Sequence, residues 1–155
     1  MPNSEAFAPQ IFRRDDFLIS TEPDRIDVDM VHRYLANESY WARGIERRKV
    51  DRAIRYSLCF GVYDCSETAE AQIGFARVVT DFSRFAYLAD LFILAHYRGQ
   101  GLGKWLISCI LAHNELQDMI KWMLNTKDAH ELYERFGFQL NHELKTYMVF
   151  QVRGW

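Results

Sequence analysis

The chain has 155 residues, 49% of them apolar and 15% aromatic, and a formal net charge of −2. That length and composition describe one globular domain with a single well-buried core, and exclude a disordered chain. The near-neutral charge gives no basis for binding nucleic acid or an anionic membrane surface, and no apolar run approaches the ~20 residues of a membrane helix.

The start, residues 1–9, reads as a loose tail. It has no basic opening and no apolar segment, so no signal peptide is expected. Cys59, Cys65 and Cys109 are odd in number and form no C-x-x-C pair. They read as reduced, structural thiols of a cytoplasmic protein. The histidines and cysteines form no recognisable metal-ligand cluster, so no metal is expected. The chain shows no internal repeat or linker, and residues 10–155 are expected to form one domain.

Ile11-Phe12 and Phe17–Ser20 predict a first strand or small hairpin, broken by Thr21-Glu22-Pro23-Asp24. Asp27 is placed to cap a helix through about Asn37, with Val28, Val31 and Leu35 on one face. Ser39–Gly44 interrupts the pattern. A second helix is predicted over about Ile45–Tyr56, with Val50, Ala53 and Ile54 inside and a charged outer face from Glu46 to Arg55. That face reads as solvated or as attraction for an anion.

At Leu58 the period changes to that of strands. Ser57–Tyr63, Gln72–Thr80 and Phe85–Leu94 read as an antiparallel meander with polar turns between. The third strand is almost continuously apolar, as expected of one buried on both faces. It runs into Ala95-His96-Tyr97-Arg98-Gly99-Gln100-Gly101-Leu102-Gly103-Lys104 and then an apolar helix, about Gly101–His113. A short strand, Ile120–Asn125, should lie parallel to its predecessor because a helix separates the two. Asp128 reads as the cap of a helix through about Phe136, stopped by Gly137. Phe138–Leu140 and Thr146–Val152 predict a final hairpin. Exposed aromatics near the C-terminus, ending in Trp155, raise the expectation of a homodimer.

The strand–glycine turn–helix at 91–104 is the chemically informative stretch. Such a turn aims backbone N–H groups and the positive end of a helix dipole at one point, which suits a phosphate. Glycines let phosphate oxygens approach without a Cβ in the way. The P-loop pattern G-x-x-x-x-G-K-S/T fails, because Arg98 and Trp105 stand where Gly and Ser or Thr belong. The dinucleotide pattern G-x-G-x-x-G also fails, with Lys104 or Leu106 at its third glycine. Arg98, Gly101 and Gly103 fit Q/R-x-x-G-x-G/A.

That hexapeptide resembles the coenzyme A pyrophosphate loop of the GNAT superfamily of N-acetyltransferases. A second match, Ala129-x-x-Leu132-Tyr133-x-x-x-Gly137-Phe138, resembles the A-x-x-L-Y-x-x-x-G-F signature of the same superfamily. The run from Tyr40-Trp41 through Leu58–Tyr63, Gly74–Asp81 and Asp128–His130 looks like a bacterial group of such enzymes with no assigned acceptor.

The resemblance implies an α/β fold with a twisted mixed sheet and helices on both faces. It implies an acetyl-CoA-dependent N-acetyltransferase acting on a primary amine of a small molecule or peptide. The pantetheine arm would pair with the backbone of Phe92, Ile93 and Leu94. The amides of Arg98, Gly99, Gln100, Gly101, Leu102, Gly103 and Lys104 would hold the pyrophosphate. Tyr133 matches the general acid that protonates the departing thiolate. Thr126 stands where the family often has an Asn bonding the pantetheine, and its hydroxyl can make one such bond. Asp90, an acid within an apolar strand, is the candidate base or anchor for a substrate ammonium, and otherwise a partnered core carboxylate. His130 has the titration range for proton transfer. Tyr40, Trp41 and Arg77, with Asp81, are candidates for the acceptor wall. An acyl-CoA sensor without turnover is the alternative from another class.

Overall fold

The computed structural model describes residues 7–142 and 144–152. They fall into two compact units, residues 1–125 and 126–155.

The first unit is a six-stranded mixed sheet in the order β1-β2-β3-β4-β5-β6. β1 (Ile11–Arg14) and β2 (Phe17–Ser20) form the expected hairpin, turning at Asp15 with φ 52°. β3 (Leu58–Asp64), β4 (Ala71–Thr80) and β5 (Phe85–Ile93) continue it as an antiparallel meander. β6 (Lys121–Met123) pairs parallel to β5.

Three helices flank the sheet. In α1 (Val28–Asn37), Asp27 Oδ1 accepts from the Met30 amide at 2.9 Å, satisfying one orphan donor of the first turn. Its buried face, Met30, Val31, Tyr34 and Leu35, packs with Val50 of α2 (Arg47–Arg55) against Cys59, Phe75 and Phe92 of the sheet. Burying each such side chain contributes ~1.5–3 kcal/mol. α3 (Leu102–Leu111) covers the opposite face, because Phe60, the neighbour of Cys59 in β3, meets His113 just beyond α3 with ring centroids 5.6 Å apart. Part of the charged face of α2 is held in ion pairs: Arg47 with Asp51 and with Asp29 of α1, and Arg48 with Glu46.

The second unit holds α4 (His130–Glu134) and a short 3-10 turn at Leu144–Thr146. Two expectations are corrected here. Asp128 does not cap α4: the N-cap is Ala129, with no side-chain cap bond, and the Ala129 amide itself donates to Thr126 Oγ1 at 3.0 Å. Gly137 does close the helix, with φ 91°. The final hairpin is absent: among the described residues neither 138–142 nor 147–152 is a strand, and Met148, Val149, Phe150 and Val152 are largely exposed. Alternating sequence supplies no partner strand, and a lone hairpin is marginal in water. Most of the expected tail, residues 1–6, and Trp155 lie outside the described residues, while Phe7 packs its ring on Phe82.

Asp81, offered above for the acceptor cleft, is occupied with the β4–β5 turn. Its Oδ1 accepts from the amides of Ser83, Arg84 and Phe85 at 3.0, 2.8 and 3.0 Å. Those bonds pull its carboxyl down to about 2. A lowered folded-state value stabilises the fold above the unfolded carboxyl range and loses that contribution as pH falls toward the folded one. Asp81→Ala should therefore lower the thermal midpoint at neutral pH, and the gap from the wild type should shrink between pH ~4 and ~2. Melting curves across that range check it; a gap independent of pH would assign the turn's stability elsewhere.

Candidate active site

The meander is interrupted at one place. Arg77 pairs with Ala89 and Phe75 with Phe92, so Asp90 and Leu91 of β5 together oppose Ala76. Asp90 takes φ 53°, a conformation most non-glycine residues avoid and Asp tolerates better than most. A bulge of this kind bends its strand and re-aims a side chain. Here it delivers the Asp90 carboxylate to two partners. Arg77 Nε donates to Oδ2 at 2.5 Å, and the Trp41 indole Nε1 donates to Oδ1 at 2.9 Å. Arg77 Nη1 also donates to Ser57 Oγ at 3.2 Å. The two charged side chains are only 20% and 13% exposed. Three expected site residues, Trp41, Arg77 and Asp90, thus form one constellation. Tyr40 lies beside it, half-exposed and edge-on to Trp41 with ring centroids 5.0 Å apart. Cys59 lies close to the Arg77–Asp90 pair, and burial pushes its thiol up to about 12, which makes it inert.

β5 has an open edge. β6 pairs only with Phe85–Tyr87, and among the described residues no other strand adds to that side of Leu88–Ile93. This corrects the expectation of burial on both faces: Tyr87, Ala89, Asp90 and Leu91 are only half-buried.

The strand then enters the glycine loop through a 3-10 turn, Ala95–Tyr97. The Phe92 ring stacks on Tyr34 of α1 with centroids 3.7 Å apart. Arg98 reaches back, donating from Nε to the Ile93 carbonyl at 2.9 Å and from Nη2 to the Tyr34 hydroxyl at 2.9 Å. Its amide donates to the Ala95 carbonyl at 3.3 Å. Arg98 is therefore a clamp on the loop's base. Leu94 likewise commits its amide to Ile73 at 2.8 Å.

From Gly99 onward the amides are different. Gly99 and Gly101 have φ 82° and 76°, which L side chains rarely adopt. Gly101 caps α3, and the first completed helical bond is Trp105 N–H to Gly101 O at 3.0 Å. Among the described residues no acceptor is recorded for the amides of Gly99, Gln100, Gly101, Leu102, Gly103 and Lys104. A run of unspent donors at a helix N-terminus fits a diphosphate, so the donor set suits coenzyme A. Sequence reasoning missed two contributors: Tyr34, hidden as a helix core residue, and Arg14 at the end of β1. Arg14 Nη2 donates to the Gln100 carbonyl at 3.1 Å, and its guanidinium lies 4.8 Å over the Trp105 ring. Long-range contacts of this kind leave no local pattern in the chain.

In the second unit, Tyr133 is half-buried on α4, with Phe138 edge-on to it at 5.8 Å. Thr126 Oγ1 accepts from the Ala129 amide, and the hydroxyl also carries a proton it can donate. Among the described residues there is no group of His, Cys, Asp and Glu able to hold a metal, and no helix long and apolar enough to cross a membrane.

Residues 56–140 match the family model for the acetyltransferase (GNAT) domain. A Gibberella zeae protein, provisionally described as an acetyltransferase, is 32% identical over 117 residues, which make up 66% of this chain and 66% of the relative. A crystal structure from Xanthomonas campestris pv. campestris, provisionally described as a GNAT-family acetyltransferase, is 38% identical. It covers 88% of this chain and 93% of its own, with a TM-score of 0.82. Another acetyltransferase-like structure, from Deinococcus radiodurans, covers 92% and 94% at 19% identity and a TM-score of 0.67, a likeness of fold alone.

The Arg77–Asp90 pair is set deep enough that removing one partner strands the other charge. Arg77→Met should cost about 2–4 kcal/mol in urea unfolding, and Arg77→Met with Asp90→Leu should recover much of it. Additive losses would show that the two residues act independently.

Proposed function

Because this chain belongs to the GNAT acetyltransferase family, a family of acyltransferases, we propose that it transfers the acetyl group of acetyl-CoA to a primary amine by direct attack. The observation that carries this reading is the open edge of β5 running straight into a loop of unspent amides. The edge offers strand-like pairing at Phe92 and Ile93 for an amide-bearing arm, with Leu94, whose amide and carbonyl are bonded to Ile73 and Tyr97, closing it, and the loop offers donors for a diphosphate. Bound acetyl-CoA would supply an activated acetyl thioester.

The chain's own groups then have these tasks. The amides from Gly99 to Lys104 hold the diphosphate, with Arg98 fixing the loop beneath them. Thr126 donates its hydroxyl to the pantetheine arm. Tyr133 protonates the departing sulfur, the step for which a phenol is suited. Asp90 has both oxygens engaged, so the role of anchor for the acceptor's ammonium fits it better than that of a free base. Trp41, Arg77 and Tyr40 form the acceptor wall around it. The unpaired cysteines, Cys59, Cys65 and Cys109, suit a reducing cytoplasm.

Acetyl-CoA binding followed by free-thiol release over a panel of amines tests this reading. Binding with amine-dependent release is the expected result. Binding without release for any amine would favour the sensor, and no binding would sink the cofactor assignment. With an active amine, Tyr133→Phe should lower kcat about 100-fold or more and leave cofactor affinity unchanged. Unchanged turnover would remove Tyr133 from the mechanism.

A further inference from the structure

Arg14 is a cation in an unusual place. It ends β1, far in sequence from the glycine loop, yet its guanidinium lies on that loop. Nη2 donates to Gln100 O at 3.1 Å, and Nη1 lies 3.9 Å from the point a Cβ on Gly101 would occupy. The Trp105 ring beneath it, centroid 4.8 Å away, holds the group by cation–π attraction. Gly101 caps α3, so this is the end of the helix where the dipole repels a cation. Among the described residues no ion pair offsets the repulsion: Arg14 makes none, and Asp15 and Asp16 in the adjoining turn make none with it. The loop's own stretch adds none either: the chain has no acidic residue between Asp90 and Glu115, while it carries Arg98 and Lys104.

We infer that Arg14 is a binding residue for the diphosphate of the cofactor, supplied to the loop by the N-terminal hairpin. This rests on the coenzyme A reading of the loop. The bond to Gln100 and the stacking on Trp105 orient the guanidinium and use only part of its donor set, leaving other N–H groups of the planar fork for phosphate oxygens. A diphosphate on the loop lies within Coulomb reach of Arg14, and its negative charge converts the unfavourable charge–dipole arrangement into an attractive one. Arg14 lies outside residues 56–140, where the family model matches.

The test compares coenzyme A binding by calorimetry for the wild type, Arg14→Gln and Arg14→Lys in the full chain, with melting temperatures as the control for folding. Arg14→Gln should weaken binding about tenfold or more, as expected for loss of a charge-assisted hydrogen bond, with an unchanged melting temperature. Arg14→Lys should recover part of the loss. The gap between wild type and Arg14→Gln should narrow as sodium chloride is raised from about 0.05 to about 0.5 M, because screening weakens a charge contact and leaves a shape defect untouched. Equal affinity for wild type and Arg14→Gln overturns the inference. So does a loss that is the same for Gln and Lys and insensitive to salt, which would make Arg14 a prop for the Gln100 carbonyl. A wild type that binds no coenzyme A sinks the cofactor reading and this inference together, whereas failure at Arg14 alone leaves that reading standing.

Discussion

The ion pair between Arg77 and Asp90 is the constraint on which the candidate site depends. It joins neighbouring strands across a bulge and holds Asp90 in a backbone conformation that costs of order 1 kcal/mol for a residue other than glycine. The strain and the pair belong together. Without the bulge the Asp90 side chain would alternate with its neighbours; with it, the carboxylate meets Arg77 and Trp41 at once. Trp41 comes from the connection between α1 and α2, so this bond ties the helical layer to the sheet beside the apolar cluster the two share.

A second chain of contacts runs from the core to the loop. α1 buries Tyr34 against Phe92, and Tyr34 then accepts a hydrogen bond from Arg98. Burial raises the Tyr34 phenol above its ordinary range, so it stays neutral and hydrogen-bonding near neutral pH. Arg98 also grips the last carbonyl of β5. The loop's conformation therefore rests on core packing below it, while its outward amides remain uncommitted. Rigid support beneath unspent donors is what a preorganised anion site needs.

Much of this was legible in the chain itself. Asp27 as a cap, the β1–β2 hairpin, the meander and the parallel β6 follow from local signals and are present. The glycine loop was readable because φ above zero and close backbone approach leave a compositional trace at Gly99 and Gly101. Asp90 stood out as an acid in an apolar run, but its partners did not, since Arg77 and Trp41 reach it only through the pairing register and the helix connection. Arg14 and Tyr34 were invisible for the same reason. The C-terminal alternation misled, because period-two patterning marks a strand only when a partner is available. At α4, Asp128 had cap chemistry, but the N-cap falls one residue later, at Ala129, and takes no side-chain cap bond.

The bulge at Asp90 also bears on how this protein behaves in a crowded solution. An apolar strand edge such as Leu88–Ile93 is a template onto which the strand of another molecule can zip, and that is a route to aggregation. A continuous ladder needs an unbroken register. Asp90 breaks it in mid-strand with an extra residue, a left-handed twist of the backbone and a charge fixed in place by Arg77. Any foreign strand can match the few residues on one side of the interruption and then falls out of step. The same distortion that aims one carboxylate thus makes the open edge a poor template for a continuous ladder.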